Sequence, residues 1–388
     1  MNRAYLGPIG LVYLAFVIYG SLVPLAFQPR PLAETLNAFA NIRWLNLGLA
    51  SRADWVANLL LYMPLGFLAS AWLTTAGQRI STRLVAAIFA LPFCLALAVG
   101  VEFIQLYFPG RTVSLNDLLA ETLGSLIGVG LFVGLGERAT QIWQRWIEGG
   151  NDAFGAVALA YLGAYLALSL FPFDFLVSQV ELSQKWSSDT VSWLVAKSGC
   201  DKPAMCLVRL IVEMLLVAPL GAVVAHQRGS RRGGILLAAI LGAMLGIVLE
   251  LVQAFIASSL VQGVSVLTRS AGMAAGFMVY RHFIRGGARA TPGWALLLAA
   301  GFWLLLLVWL NGWLTHAWLG WEQAMTQLEE VRFLPFYYHY YTTETQALTS
   351  LLSVAGMYAP LGAWYGLWLP TRPKAVGLAA LTAVGLCG

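Results

Sequence analysis

The stretch VEFIQLYFPGRTVSLNDLLAETLGSLIG, residues 101–128, joins two long apolar runs and holds the polar residues that interrupt them. A charge at the centre of a bilayer costs roughly 2.5–3.5 kcal/mol even on lenient insertion scales, so charged residues lie near span ends or face a bundle interior. Pro109-Gly110 supplies a turn between the two runs. We therefore predict two membrane-spanning helices joined by a short polar hairpin.

The rest of the chain is equally apolar. Of its 388 residues, 59% are hydrophobic and 11% are charged, whereas soluble domains average about 25% charged residues. Apolar runs of about 20 residues, long enough to cross a bilayer, recur along the chain. The sequence therefore predicts an all-α, polytopic transmembrane helix bundle of about 10–11 spans. We place these spans at 5–27, 54–75, 83–107, 116–136, 154–175, 205–226, 234–258, 263–281, 294–318 and 346–369, with another from 375.

Basic residues favour one orientation of these spans. The short connections after even-numbered spans are richer in Arg and Lys than the longer connections after odd-numbered spans. The positive-inside rule then places the N-terminus in the cytoplasm and the hairpin of 101–128 on the extracytoplasmic side. Because no basic run is interleaved with exposed aromatic residues, the expected partner is the lipid bilayer and not a nucleic acid.

Short segments recur at equivalent positions along the chain. SLVPLAF (21–27) is repeated as SLFPFDF (169–175), MPLGF (63–67) as APLGA (218–222 and 359–363), and VEFIQ (101–105) as LELVQ (249–253). An even number of spans in each copy makes the copies parallel. We therefore predict a four-helix unit at 1–150, a degenerate second unit at 151–290 and a partial third at 291–388, which breaks off before its own Glu-x-x-Gln position.

Polar residues of spans two to four are expected to converge at the extracytoplasmic end. Spacings of three or four residues put the polar residues of each span on one helical face. The predicted site comprises Asp54, Asn58, Glu102, Gln105, Arg111, Ser114, Asp117 and Glu121. Glu102 and Asp117 are the candidate catalytic carboxyls, and Arg111 is the candidate anion clamp. Such a site suits a hard cation held by oxygens, or a phosphate or sugar gripped by Arg111, Asn58 and Gln105.

The second copy keeps the small residues and changes the polar set. Alignment of the two copies gives a second set of Arg209, Glu213, Glu250, Gln253 and Arg269. Neither the histidines nor the cysteines have the spacing of a metal site. Cys200 and Cys206 form a disulfide if their loop faces an oxidising compartment, and remain thiols otherwise.

The segment DWVANLLLYMPLGF (54–67) and the stretch 101–128 resemble the VanZ-like family of bacterial membrane proteins. The family pattern runs D-x-x-x-N, P-x-G, E-x-x-Q, an Arg, and D-x-x-x-N-x-x-G-x-x-x-G. The matching residues are Asp54, Asn58, Pro64, Gly66, Glu102, Gln105, Arg111, Asp117, Gly124 and Gly128. Glu121 departs from it, since the family usually has Asn there. The similarity is strong over 15–135, partial over 160–280 and weak beyond 330.

The resemblance implies a multi-pass protein of the bacterial inner (cytoplasmic) membrane with a role in the cell envelope. The family is associated with low-level resistance to the glycopeptide teicoplanin, and some members sit near envelope-polysaccharide functions. The first hypothesis is a site that binds or processes a lipid-linked or glycan headgroup, with lipid-linked precursors or polysaccharide machinery as partners. The alternatives are a proton- or ion-coupled transporter and a non-catalytic membrane scaffold. Enzyme status stays open because no nucleophile or phosphate-loop motif is present, and the sequence identifies no cofactor.

Overall fold

The structure is a computed structural model that describes residues 3–74, 79–148, 151–196, 203–228 and 233–284, together with 300–301, 303–305, 307–308, 320–332, 334, 337–343, 346–354 and 357–358. The chain divides into two compact units, Met1–Ala288 and Arg289–Gly388. The described residues are helical almost throughout, which confirms the all-α class. The further division of the larger unit near residue 150 stays a prediction.

A first bundle is formed by the N-terminal helices of the larger unit. These are α1 (Arg3–Leu22), the short α2 (Leu32–Ala40), α3 (Leu49–Leu73), α4 (Ile80–Gln105) and α5 (Leu115–Glu148). Val17, Tyr62, Leu65 and Cys94 are buried together at its core. The predicted turn at 109–110 is confirmed, since the Arg111 backbone N–H donates to the Phe108 carbonyl oxygen at 2.9 Å.

Helices α3 and α5 approach closely because small residues lie where they cross. A Cβ added to Gly124 would lie 2.2 Å from the Leu59 carbonyl oxygen, and one on Gly128 would lie 1.9 Å from that of Met63. Small residues that let helix backbones touch are a principal means of helix association in membranes. Gly124 and Gly128 of the fourth predicted span therefore lie against the second.

A second bundle follows in the same unit. Its elements are α6 (Asn151–Leu170), α7 (Gln179–Trp186), β1 (Val191–Ser192), α8 (Pro203–Arg228), α9 (Gly234–Gln253), β2 (Val261–Gln262), α10 (Gly263–Val279) and a π-helical turn (Tyr280–Ile284). The two short strands pair in parallel. Helices α8 and α10 also cross at glycines, since a Cβ on Gly276 would lie 1.8 Å from the Ala218 carbonyl oxygen.

The same side-chain contact occurs once in each bundle. Gln105 Nε2 donates to the Ser21 carbonyl oxygen at 2.9 Å, and Gln253 Nε2 donates to that of Ser169 at 2.7 Å. These glutamines belong to the two Glu-x-x-Gln segments. The contacts agree with the repeat suggested by the sequence, which stays a prediction.

Five helices among the described residues are long and apolar enough to cross a membrane. They are Ser51–Leu73, Ile80–Gln105, Leu115–Ile142, Cys206–Arg228 and Gly234–Gln253, and Leu6–Leu22 and Val157–Leu170 are shorter apolar helices. These helices identify a multi-pass membrane protein. The spans predicted at 294–318, 346–369 and from 375 lie mostly or wholly outside the described residues. In the smaller unit the described helices include α11 (Trp321–Glu330) and α12 (Tyr337–Tyr340).

Among the predicted spans that end too late in the sequence, two are followed by a proline. The spans at 5–27 and 154–175 stop as helices at Leu22 and Leu170. Each is followed by an X-Pro pair, at Pro24 and Pro172. Proline lacks the N–H that continues a helix and restricts the residue before it. The helix boundary therefore precedes the proline in both places.

The loop at 176–204 contains α7, which is tied to the first bundle by an ion pair. Arg52 Nη1 lies 2.9 Å from Glu181 Oε2, and Arg52 Nη2 lies 3.0 Å from Glu181 Oε1. Glu181 also caps its own helix, because its Oε2 accepts the Ser178 N–H while the Ser178 hydroxyl accepts the Glu181 N–H. Together these bonds lower the pKa of Glu181 to about 2, with the Arg52 bond as the largest cause.

Acidification is expected to loosen α7. A carboxyl whose pKa is depressed in the fold contributes stability above its unfolded value, near 4.5, and loses it as the pH falls toward about 2. Melting of the purified protein between pH 6 and pH 3 measures this effect. The stability advantage of wild type over Glu181→Gln should narrow across that range. Glu34→Gln, at an exposed glutamate of α2, serves as the control, and a constant difference between wild type and Glu181→Gln would contradict the expectation.

The other charged contact of α7 is a buried lysine. Lys185 is 6% exposed, and its Nζ donates to the Ile256 carbonyl oxygen, to the Ser259 carbonyl at 2.8 Å and to the Ser259 hydroxyl at 2.9 Å. Burial lowers the pKa of Lys185 to about 8, and the nearby Asp174 acts in the opposite direction. The ammonium therefore holds together the backbone turn that follows α9. Cys206 is disulfide-bonded, and its predicted partner, Cys200, lies outside the described residues.

Candidate functional site

Asp117 is the best-anchored carboxylate among the predicted site residues. Its Oδ1 accepts the Asn58 amide at 2.9 Å, and its Oδ2 accepts the Ser114 hydroxyl at 2.6 Å. The Asp117 backbone N–H returns a bond to the Ser114 Oγ at 3.2 Å, as in the cap of a helix N-terminus. The sequence placed these three residues in one site, and the structure joins them directly.

Two glutamates and a tyrosine lie buried behind Asp117. Glu102 is 1% exposed, Glu121 is 2% exposed and Tyr62 is fully buried. Among the described residues, no partner lies within hydrogen-bonding distance of Glu102 Oε2, Glu121 Oε2 or the Tyr62 hydroxyl, and the Tyr62 hydroxyl lies near the Glu121 carboxyl. A buried polar atom without a partner costs about 1–3 kcal/mol. We call Asn58, Tyr62, Glu102, Ser114, Asp117 and Glu121 the first polar cluster.

The remaining predicted residues surround this cluster. Gln105 is buried, and its amide nitrogen is held by the Ser21 carbonyl. Arg111 is half-buried in the hairpin and, like Asp117, lies close enough to Glu102 to act on it electrostatically. Asp54 is exposed near the start of α3. The structure therefore places Arg111 beside the buried carboxyls and Asp54 at the helix surface.

The prediction from sequence did not include Tyr62 and Asn116. Tyr62 lies four residues after Asn58 and eight after Asp54, so the same helical spacing identifies it. Asn116 is buried and bonds both backbone groups of Leu45, accepting the N–H at 3.2 Å and donating to the carbonyl at 2.9 Å. Nothing in the spacing indicates that contact, because Leu45 lies in a loop 71 residues away.

The second polar set forms a closed ion network in the second bundle. Arg269 is 4% exposed and lies 2.7 Å from both Glu213 and Glu250. Its Nε donates to the Tyr165 hydroxyl at 3.2 Å. The carboxylates have further donors, since Thr268 bonds Glu213 at 2.8 Å and the Gln262 N–H bonds Glu250 at 2.7 Å. The structure therefore brings three members of the predicted second set into contact, namely Arg269, Glu213 and Glu250.

One of the aligned positions that differ between the two clusters carries opposite charges. In the alignment of the two copies, Glu121 occupies the position of Arg269, and Glu102 that of Glu250. In the second bundle a guanidinium satisfies two carboxylates. In the first bundle a third carboxyl stands in its place, and one oxygen of each buried glutamate is left without a protein donor among the described residues. The first polar cluster therefore keeps carboxyl oxygens that can accept donors from a ligand.

Metal ligation receives no support within the described residues. They contain no group of three or more His, Cys, Asp and Glu side chains arranged to hold a metal ion. The arrangement instead offers carboxyl oxygens to hydroxyl or amine donors, with Arg111 nearby for an anion.

Comparison with known proteins identifies the first bundle. Residues 10–136 match the VanZ/LLP1 family model, and this match confirms the VanZ-like resemblance over the segment that contains the first polar cluster. No curated protein and no solved structure matches the chain.

Proposed function

We propose that this VanZ-like membrane protein binds the polar headgroup of a lipid-linked or glycan component of the bacterial envelope at its first polar cluster, on the extracytoplasmic side of the inner membrane. The proposal rests on the orphaned oxygens of Glu102 and Glu121, buried beside an anchored Asp117. Sugar hydroxyls are donors that such oxygens accept. Arg111, close to Glu102, suits a phosphate in the same headgroup.

The bonding pattern supports different roles for the carboxyls. Asp117 already accepts two side-chain donors, so it positions Asn58 and the start of α5. Glu102 keeps one oxygen without a partner among the described residues. If the headgroup is processed as well as bound, Glu102 is therefore the residue for proton transfer, because a general acid or base needs an oxygen within reach of the reacting group.

Proton- or ion-coupled transport is the second candidate, and one observation favours it. Tyr62 and Glu121 lie deeper along α3 and α5 than Asn58 and Asp117, and the side chains of both are buried. Polar groups therefore extend inward from the helix ends. Intramembrane carboxyls of this kind are frequent in proton relays.

Substitution of Glu102 and Arg111 tests the headgroup proposal. Glu102→Gln and Arg111→Ala are expected to lower headgroup binding by about tenfold or more, because the first removes a buried carboxyl and the second a charged guanidinium from the proposed site. The measurement is binding of a lipid-linked glycan to the purified protein, together with teicoplanin susceptibility of cells that carry each variant. Glu34→Gln, at an exposed glutamate of α2, is the matched control and should behave as wild type.

Stability separates a ligand site from a structural one. Glu102→Gln replaces an incompletely bonded buried carboxyl, so the thermal stability of the variant should equal or exceed that of wild type. Normal protein level with unchanged binding and susceptibility would contradict the headgroup proposal. Proton uptake in liposomes that is lost in Glu102→Gln would instead favour transport.

A further inference from the structure

A cavity of about 330 Å³ lies between α6, α8, α9 and α10 of the second bundle. Its polar end is formed where these helices begin or end, by residues that include Arg209, Glu213 and Gln253. Its remaining wall is mainly apolar and includes Leu168, Val212 and Leu216 of the helix surfaces. A charged end that continues into an apolar wall is the form expected of a lipid site near the membrane interface.

The cavity carries two separate charges of opposite sign. Arg269 offsets one of the two carboxylates that it bonds, so the network of Arg269, Glu213 and Glu250 retains one formal negative charge. Arg209 also lines the cavity, is exposed, and makes no hydrogen bond or ion pair with any residue that the structure describes. Arg209 and Glu213 are four residues apart on α8, so their Cβ atoms lie about 5–6 Å apart.

An acceptor and two aromatic residues complete the polar end. Gln253 Oε1 is buried and has no partner among the described residues, while its Nε2 is fixed by the Ser169 carbonyl at 2.7 Å. Tyr161 and Tyr165 line the same cavity. Carboxylates, amide oxygens and tyrosine rings are the groups that receive a ligand ammonium.

We propose that this cavity binds a zwitterionic phosphoethanolamine headgroup, with its phosphate on Arg209 and its ammonium on Glu213 and Gln253 Oε1. The ligand places one positive and one negative charge a few bonds apart, which matches charges separated by one helical turn. An anionic glycerol headgroup would supply no cation for the remaining negative charge of the network. The exposed Val212 and Leu216 supply an apolar surface for acyl chains, so we take phosphatidylethanolamine as the source of the headgroup. None of these residues belongs to the first polar cluster, and the proposal does not depend on the function proposed for that cluster.

Lipid retention tests this site. The full chain is extracted from vesicles that contain equal amounts of phosphatidylethanolamine and phosphatidylglycerol, and the lipids that remain bound are counted by native mass spectrometry. Wild type should retain phosphatidylethanolamine in preference to phosphatidylglycerol by about tenfold, the value of one charge-assisted contact. Arg209→Ala should lower the retention of both lipids, because Arg209 binds the phosphate that both headgroups carry. Arg228→Ala, at an exposed arginine at the opposite end of the same helix, should retain lipid as wild type does.

A further variant and a soluble competitor test the ammonium contact and the source of the headgroup. Glu213→Gln should shift retention toward phosphatidylglycerol, because the ammonium loses its charged partner. Arg209→Ala stays decisive if Glu213→Gln fails to fold, since Arg209 bonds no described residue. If glycerophosphoethanolamine displaces the retained lipid, the site recognises the headgroup and can take it from solution. If only intact phosphatidylethanolamine displaces it, the site takes its ligand from the membrane. Displacement by neither, preferential retention of phosphatidylglycerol by wild type, or unchanged lipid retention by Arg209→Ala would overturn the proposal.

Discussion

Arg269→Met is expected to destabilise the second bundle by about 3–5 kcal/mol in the free energy of unfolding. The guanidinium is buried and lies 2.7 Å from both Glu213 and Glu250. Its removal leaves two carboxylates in a site that is largely shielded from solvent, with only a hydroxyl and a backbone N–H as donors. Burial of an uncompensated charge is among the most destabilising changes that a single substitution makes.

Thermal unfolding of the purified protein in detergent measures this loss. The matched control is Arg209→Met, which makes the same replacement on α8 at an arginine without a bond to any described residue. A triple variant, Arg269→Met with Glu213→Gln and Glu250→Gln, should recover most of the stability, because buried ion networks are often replaceable when no charge is left behind. Equal stability of Arg269→Met and wild type would show that the ion network does not stabilise the folded state.

Gly128→Leu is expected to separate α3 from α5 and destabilise the first bundle by about 3 kcal/mol. Even a Cβ at this position would lie 1.9 Å from the Met63 carbonyl oxygen. That oxygen belongs to the backbone of α3 and does not rotate away, so the helices must move apart. The same movement would break the bond between Asn58 and Asp117, which spans 2.9 Å between these two helices.

Two readouts follow for Gly128→Leu: a lower unfolding temperature and loss of headgroup binding at the first polar cluster. Gly130→Leu is the matched control, because Gly130 lies two residues further along the same helix, where an added Cβ meets nothing within 4 Å. It should leave binding intact and stabilise the helix by up to about 1 kcal/mol. Similar behaviour of the two variants would mean that close helix contact is not what Gly128 provides.

The sequence predicted the helices more reliably than the segments between them. Apolar length alone identifies α4 and α5, and the Pro109-Gly110 turn between them is where the pattern placed it. The short helices α2 and α7 were not predicted, since nine and eight residues are too few to give a clear periodic signal. Their positions depend on contacts such as the pair between Arg52 and Glu181, which are 129 residues apart.

The sequence predicted only part of the candidate site, because contacts between different helices cannot be derived from local spacing. Helical spacing grouped Asn58 with Asp54, and Glu102 with Gln105, because residues three or four apart share a face. Spacing within one helix does not determine which partner a side chain meets on another. Gln105 turned out to bond the Ser21 carbonyl, and Tyr62 lies in the cluster although the prediction left it out.

By itself, the sequence determined an apolar helical membrane protein, the glycine faces on which its helices meet, and the residue types gathered near one end of each bundle. These follow from local length, period and composition. Only the tertiary structure decided which charges are satisfied: Arg269 bonds two glutamates, whereas Glu102 and Glu121 each keep an oxygen without a partner among the described residues. Hydrogen bonds extend over about 3 Å, and positions at that range are set by the packing of several helices at once.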